Sequence, residues 1–392
     1  MQMIKAILFD AIRQNGGSYQ MAINNLLSII KNFKKKKIEY IILTHENNLD
    51  LDKFRIKYQI IKITKWDYFF LLLRNIKFLN LLLKKLEVES SFEKYLLKNN
   101  INLIIFSLVS WKSLLLNKIN FTTTVLDTCH NDFYGKKKFK EISLIIYMVR
   151  EYLYKSILPI SYRIITESIE LKKKIIKLYG LKANSIVSIP NLPSMLFKDI
   201  KKINKAKNIR KKYNITKEFY FYPAQFWEHK NHEIILKCVK KFKSKKREVN
   251  FIFCGRDKGN LRYIKNKIAE YKIEKNIKIL GYVKDEELLE LYKICKALVM
   301  PSYFGPTNIP PVEAWYLNIP VIYSSLNAKH GLDAAMYFDP ESVNQLTKSI
   351  ENLDNKNLRK KLISKGKSRL RTIRKENIHG HLKFASDIDK FR

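Results

Sequence analysis

The sequence predicts an α/β protein built from two Rossmann-like domains, and three observations lead there. A chain of 392 residues is about two domains' worth of polypeptide, enough for two buried cores. Both halves alternate short apolar runs with amphipathic helical patterns, the rhythm of a parallel sheet covered on both faces. One stretch, VMPSYFGPTNIPPVEAWYLNIPVIYSS at 299–325, shows the unit in miniature: strand, Gly/Pro loop, helix, strand.

Strands are expected in the first half at 4–9, 38–43, 58–63, 103–107, 123–126, 162–166 and 186–191. The loop after the first holds Gly16-Gly17, ahead of a helical pattern at 19–32. A glycine pair there lets backbone approach a ligand closely, although the three-glycine dinucleotide fingerprint is missing. Asp127 and His130 follow the strand at 123–126 directly. Polar residues at the C-terminal end of a parallel strand stand where open α/β sheets bind ligands, so both are acceptor-side candidates; a surface histidine is the plain alternative. The segment 66–86, WDYFFLLLRNIKFLNLLLKKL, is expected as one helix, apolar around most of its circumference. A core helix with snorkelling lysines and a cationic helix lying in a membrane interface both fit it.

Domain limits are read at 1–192, a lysine-rich linker at 193–217 and a second domain at 218–370. A helical tail at 371–392 is expected to pack back on the first domain. Strands at 219–223, 250–254, 277–280, 297–300 and 321–323 alternate with helices at 232–242, 260–271 and 285–294, and helices at 346–352 and 358–367 close the domain. Four strand ends in succession carry polar loops: Gln225 to Lys230, Gly255 to Gly259, Gly281-Tyr282-Val283, and Gly305-Pro306-Thr307-Asn308-Ile309. Together they would form one ligand-binding rim. Lys230 is a point charge suited to a phosphate. The loop before Pro310 and Pro311 would aim backbone N–H groups and a helix dipole at one spot. Glu313, one turn into that helix, could accept from sugar hydroxyls, or the unit could be a plain crossover with a surface Glu.

Composition narrows the function classes. Hydrophobic content of 46% argues against disorder, and the scattered Cys129, Cys238, Cys254 and Cys295 suggest neither a zinc site nor a disulfide framework. The N-terminal apolar run is too short for a signal peptide. The runs at 69–73 and 142–149 are each cut by an arginine, far short of the ~20 residues a spanning helix needs. A soluble or peripheral protein of the reducing cytosol is expected. Lys and Arg number 75 against 36 Asp and Glu, a net charge of +39. That excess fits an anionic membrane face or base-composition drift; no nucleic-acid-binding signature accompanies it.

Taken together, the motifs of the second half resemble the C-terminal domain of GT-B glycosyltransferases of the retaining family 4, the glycosyl transferases group 1. The "GxV" loop is Gly281-Tyr282-Val283, and Asp285–Leu288, Leu291-Tyr292 and 297–302 follow the family's pattern. The hallmark "EGFGLPxLEAmAxGxPVI" stands as GPTNIPPVEAWYLNIPVI. The resemblance spans roughly 220–339 and reaches the first half faintly through Gly16-Gly17, Leu126 to His130, and Ile165 to Ser168. Two positions depart: Gly305 stands where the first hallmark Glu is expected, and Gln225 where the family has an arginine.

The resemblance implies two domains facing each other across a cleft, and transfer of a sugar from a UDP- or GDP-linked donor with retention. The acceptor would be a glycan or lipid-linked saccharide of bacterial surface polysaccharide, made at the inner face of the plasma membrane. His130, Lys230 and Glu313 would carry the reaction. Gly16, Gly17, Gln225, Gly255, Tyr282, Val283, Thr307, Asn308 and Ile309 would line the nucleotide-sugar site, Glu313 holding the ribose. No cofactor or metal is implied. The two departures also fit a catalytically inactive sugar-binding relative, and the charge a nucleic-acid-binding protein.

Overall fold

The computed structural model describes residues 3–133, 142–194, 197, 206–305 and 307–391. Part of the expected linker, Pro306 and the lysines at 136–138 lie outside the described residues. The chain forms two compact units. The first takes Met1–His130, Leu144–Pro190 and Glu376–Arg392, the second Asn131–Ser143 and Asn191–Lys375.

The first unit is built on seven strands: β1 (Ile4–Leu8), β2 (Tyr40–Thr44), β3 (Gln59–Ile60), β4 (Ile101–Phe106), β5 (Asn120–Val125), β6 (Arg163–Thr166) and β7 (Ile186–Ser188). They pair in the order β3-β2-β1-β4-β5-β6-β7, all parallel. Ile7 lies level with Ile42 on one side and Ile105 on the other. Side chains alternate across the pleat, so Ile7, Leu103 and Ile105 enter one core layer while Ala6, Leu8, Ile104 and Phe106 enter the other. Helix Gly17–Lys36 covers the first layer with Tyr19, Ile23, Leu26 and Ile30 at helical spacing. The strand expected at 58–63 pairs only over Gln59–Ile60, because it is the sheet edge and both residues are exposed.

The apolar segment 66–86 is two helices, Lys65–Arg74 and Lys77–Lys85. A capping box starts the first: Thr64 N–H donates to Asp67 Oδ2 at 2.8 Å, and Asp67 N–H to Thr64 Oγ1 at 3.3 Å. Asn75 ends it, its side-chain amide donating to the Leu71 carbonyl at 2.8 Å, and Ile76 leaves helical geometry at φ −94°, ψ 113°. Phe70 and Leu83 turn inward, and Phe70 is fully buried.

The second unit has β8 (Tyr220–Pro223), β9 (Phe251–Cys254), β10 (Ile277–Ile279), β11 (Leu298–Met300), β12 (Val321–Ser324) and β13 (Met336–Phe338). Their order is β10-β9-β8-β11-β12-β13, again parallel throughout. Phe221, Phe253, Val299, Ile322 and Trp315 are among the side chains filling its core. The closing elements differ from expectation. Helix Val343–Asn352 is followed by one 34-residue helix, Lys356–Asp389, in place of a helix at 358–367 and a separate tail. Leu362, Leu370 and Ile373 serve the second core, and Phe384, Ala385 and Ile388 the first, so apolar periodicity never lapses. The final stretch is tied into the first unit: Lys5 Nζ donates to the Phe391 carbonyl at 3.0 Å, and Arg163 Nε to Asp387 Oδ2 at 2.8 Å.

In each sheet the strand order reverses beside its first strand, between β1 and β4 and between β8 and β11. Loops leaving the two strands there diverge to opposite faces, which leaves a crevice at their C-terminal ends.

Candidate functional site

At the β8/β11 reversal, the backbone of His229 to Asn231 is pinned from several sides. Tyr222 donates its hydroxyl to the Lys230 carbonyl at 2.7 Å, and Tyr303 N–H donates to the His229 carbonyl at 2.9 Å. Asn231, in left-handed geometry at φ 54°, donates its amide to the carbonyls of Pro301 and Pro340. These bonds fasten the loop after β8 to the loop after β11, and they set the backbone of Lys230 at the crevice.

The neighbouring strand ends complete the rim. Gly255 N–H donates to the Gly281 carbonyl at 2.8 Å, and a Cβ at Gly255 would stand 2.2 Å from the Ala224 carbonyl oxygen, so only glycine permits that approach. The Arg256 guanidinium lies 4.6 Å over the half-exposed Tyr282 ring, while Val283 is buried. Gln225 accepts from Trp227 Nε1 at 3.0 Å, with Lys258 5.6 Å over the Trp227 ring.

The loop between β11 and helix Ile309–Tyr316 carries the departure at Gly305. Its φ is +122°, and a Cβ there would lie 2.6 Å from Asn308 Oδ1 and 2.9 Å from Nδ2. Asn308 thus fills the volume a side chain at 305 would need. Its amide donates to Tyr323 OH at 2.8 Å, which pairs with His330 Nδ1 at 3.2 Å. Thr307 Oγ1 accepts from Asn191 Nδ2 at 3.0 Å. Pro310 and Pro311 remove two of the four N–H groups that a helix start normally leaves open. The open donors at the helix start are therefore the N–H groups of Asn308 and Ile309.

Glu313 is buried. Tyr292 donates its hydroxyl to Glu313 Oε2 at 2.9 Å, and Ser194 N–H also reaches the carboxylate. Burial raises its pKa from 4.5 to about 7, overcoming the two hydrogen bonds that favour the ionised form. A carboxyl half-protonated near neutrality can both accept and donate.

The remaining expected residues stand in the first unit. Gly16, at φ 64°, precedes helix Gly17–Lys36 and donates its N–H to the Arg13 carbonyl at 3.2 Å. In the crevice between β1 and β4, Lys112 meets Asp10 at 2.7 Å. Past β5, Arg150 holds Asp127 at 2.6 Å and reaches Cys129 Sγ at 2.8 Å. Burial would raise the Asp127 pKa, but Arg150 and the Cys129 N–H bring it below the usual value. His130 is completely buried, not a surface histidine. Its Nε2 lies 3.3 Å from both Glu151 Oε2 and Tyr179 OH. Burial first, and then Arg150, lowers its pKa to about 4, so the imidazole is neutral at pH 7.

Nine expected residues thus gather on one sheet edge of the second unit: Gln225, Lys230, Gly255, Tyr282, Val283, Thr307, Asn308, Ile309 and Glu313. Asp127 and His130 share a separate cluster, and Gly16 and Gly17 a helix start. Sequence reasoning missed Arg150, Glu151, Tyr179, Tyr292 and Ser194. Arg150 left a trace, since an arginine interrupting an apolar helix needs a partner. Among the described residues no group of three or more His, Cys, Asp or Glu is placed to hold a metal ion.

Residues 205–369 match the family described as glycosyl transferases group 1. That segment belongs to this family. The O-antigen chain mannosyltransferase RfbU of Salmonella typhimurium is 28% identical over 194 residues, covering 49% of this chain and 50% of that protein. The chain therefore matches about half the length of this curated relative. Among solved structures, a glycosyltransferase from Rickettsia africae ESF-5 superimposes with a TM-score of 0.73 at 16% identity, covering 100% of both chains. Anabaena Alr3699/HepE, in complex with UDP and glucose, gives 0.70 at 13% identity over 98% of this chain and 99% of that one. These likenesses and the two parallel sheets establish the GT-B fold of two Rossmann-like domains.

Proposed function

We propose that the protein transfers a sugar from a nucleoside-diphosphate donor, UDP- or GDP-linked, to a glycan or lipid-linked acceptor of bacterial surface polysaccharide. The observation carrying this reading is the fixing of Lys230 at the β8/β11 crevice, within the segment that matches the family. Departure of the nucleotide leaves a diphosphate that gains negative charge. The Lys230 ammonium and the N–H groups of Thr307 to Ile309 compensate that charge without a metal ion. Glu313 holds the ribose hydroxyls. In the first unit, we assign the acceptor side to Asp127 and His130, and the Gly17 amide at the start of its helix is a further donor. Retention of configuration follows the family resemblance. The O-antigen role in the name of RfbU supports the polysaccharide acceptor, and the UDP and glucose bound to HepE support the donor class.

The test is turnover with a panel of UDP- and GDP-sugars, with a glycan or polyprenyl-diphosphate-linked saccharide as acceptor. Release of the nucleoside diphosphate only when both substrates are present is expected. A second reading, a catalytically inactive sugar-binding relative, is favoured by the missing carboxylate at Gly305 and the engaged amide of Gln225. Tight nucleotide binding without hydrolysis or transfer of any donor would select it.

A further inference from the structure

Large apolar side chains left exposed in the first unit are concentrated in two places. Nine lie in 66–86 and six in 144–152, more than half of all those exposed among the described residues. Phe78 and Ile145 are about three-quarters exposed, at 73% and 74%, and Phe69 and Val149 about half. They belong to helices Lys65–Arg74, Lys77–Lys85 and Leu144–Ile157. The third helix joins the first two where the Tyr152 hydroxyl donates to Asn75 Oδ1, at the break between them. Arg74, which cuts the first apolar run, turns inward to the Leu116 carbonyl at 2.8 Å. A soluble monomer rarely leaves so much contiguous apolar surface uncovered.

We propose that this three-helix surface docks on the face of an anionic lipid bilayer. The charges around it fit that occupant. Lys65, Lys77, Lys84 and Lys85 are exposed on the same helices. The two carboxylates of these helices turn away: Asp67 is buried and accepts from Phe92 N–H at 2.9 Å, and Glu151 is held by Tyr179 and Lys155. Just beyond, Lys118 bridges Glu87 and Glu89 at 2.8 and 3.0 Å. Trp66, Tyr68 and Tyr152 add rings with one apolar body and one polar edge, the kind suited to a headgroup boundary. A second copy fits poorly, because two chains of +39 each repel. No helix among the described residues is long and apolar enough to cross a membrane, so the contact is interfacial. Not all of the apolar segment 66–86 joins this surface: Phe70 is core, and the helix Leu144–Ile157 contributes in its place. This surface stands independently of the sugar-transfer reading.

The experiment is co-sedimentation with vesicles of phosphatidylcholine, alone or mixed with phosphatidylglycerol, while Trp66 emission is followed. Binding to the anionic vesicles, a blue shift lost in Trp66→Phe, and partial release by salt are expected. Phe69→Glu/Phe78→Glu and, separately, Ile145→Glu/Val149→Glu should each weaken binding by roughly tenfold or more, since each places two charges in the interface. Leu326→Glu, exposed in the second unit, should bind like wild type. All variants replace exposed residues, and unchanged melting temperatures establish that they fold. Wild-type binding by both double variants, equal binding to neutral vesicles, or no binding at all would overturn the proposal. So would a dimer that the double variants dissolve, which would give the surface to a second copy.

Discussion

Tyr292 donates its hydroxyl to Glu313 Oε2 at 2.9 Å, with both side chains buried in the second unit. The tyrosine comes from the helix before β11 and the glutamate from the helix after it. Their bond ties these two helices together and satisfies one oxygen of a buried carboxyl.

Glu313 should make stability depend on pH. Burial holds its pKa near 7 in the folded chain against an ordinary 4.5, so between those values the native state carries a proton that the unfolded chain has lost. Stability contributed by this group is complete below pH 4.5 and declines as pH rises through 7, by up to about 3 kcal/mol. Glu313→Gln removes that titration. Urea melts at pH 5 and 8 should show the variant gaining on wild type as pH rises, and a difference independent of pH would contradict the assignment.

Arg150 should be a costly residue to remove. Arg150→Met leaves Asp127 with burial and no counter-charge, and a loss of about 3 kcal/mol is expected. The double variant Arg150→Met/Asp127→Asn should recover part of it. Denaturant midpoints decide; a single variant within about 0.5 kcal/mol of wild type would show the pair to be solvated.

Gly305 and Asn308 should be energetically coupled. Gly305→Ala meets both a left-handed φ and the Asn308 amide, and should destabilise the fold by about 1–3 kcal/mol. Adding Asn308→Gly removes the clash and leaves only the backbone strain. A double-mutant cycle should give a coupling of at least about 0.5 kcal/mol, whereas strict additivity would mean the two positions do not compete.

Much of the architecture was legible because it rests on local pattern. Runs such as 103–106 and 251–254 are apolar on both faces, as a parallel strand covered on both sides requires. The polar loops after those strands then had to fall on one edge, and Lys230 with Gly305 to Ile309 could be placed without knowing any contact. Partnerships across the fold were not legible. Tyr292 and Glu313, or Arg150 and Asp127, are 21 and 23 residues apart, and nothing local couples them. The break at Asn75 was hidden because apolar residues at helical spacing continue on both sides of it, while the backbone leaves helical geometry only at Ile76. The expected helix at 358–367 and the tail are parts of one long helix, in which Gly366 lies against Trp315 and Gly380 against Ser188, each leaving no room for a Cβ.

The most direct test of Lys230 at a diphosphate site is calorimetric titration of UDP and GDP into wild type and Lys230→Ala. Wild type is expected to bind one of the two nucleotides. The variant should bind it tenfold to a hundredfold more weakly, as for loss of one charged contact of about 1.4–2.8 kcal/mol. Affinity within threefold of wild type in Lys230→Ala, or no binding of either nucleotide by wild type, would contradict the site.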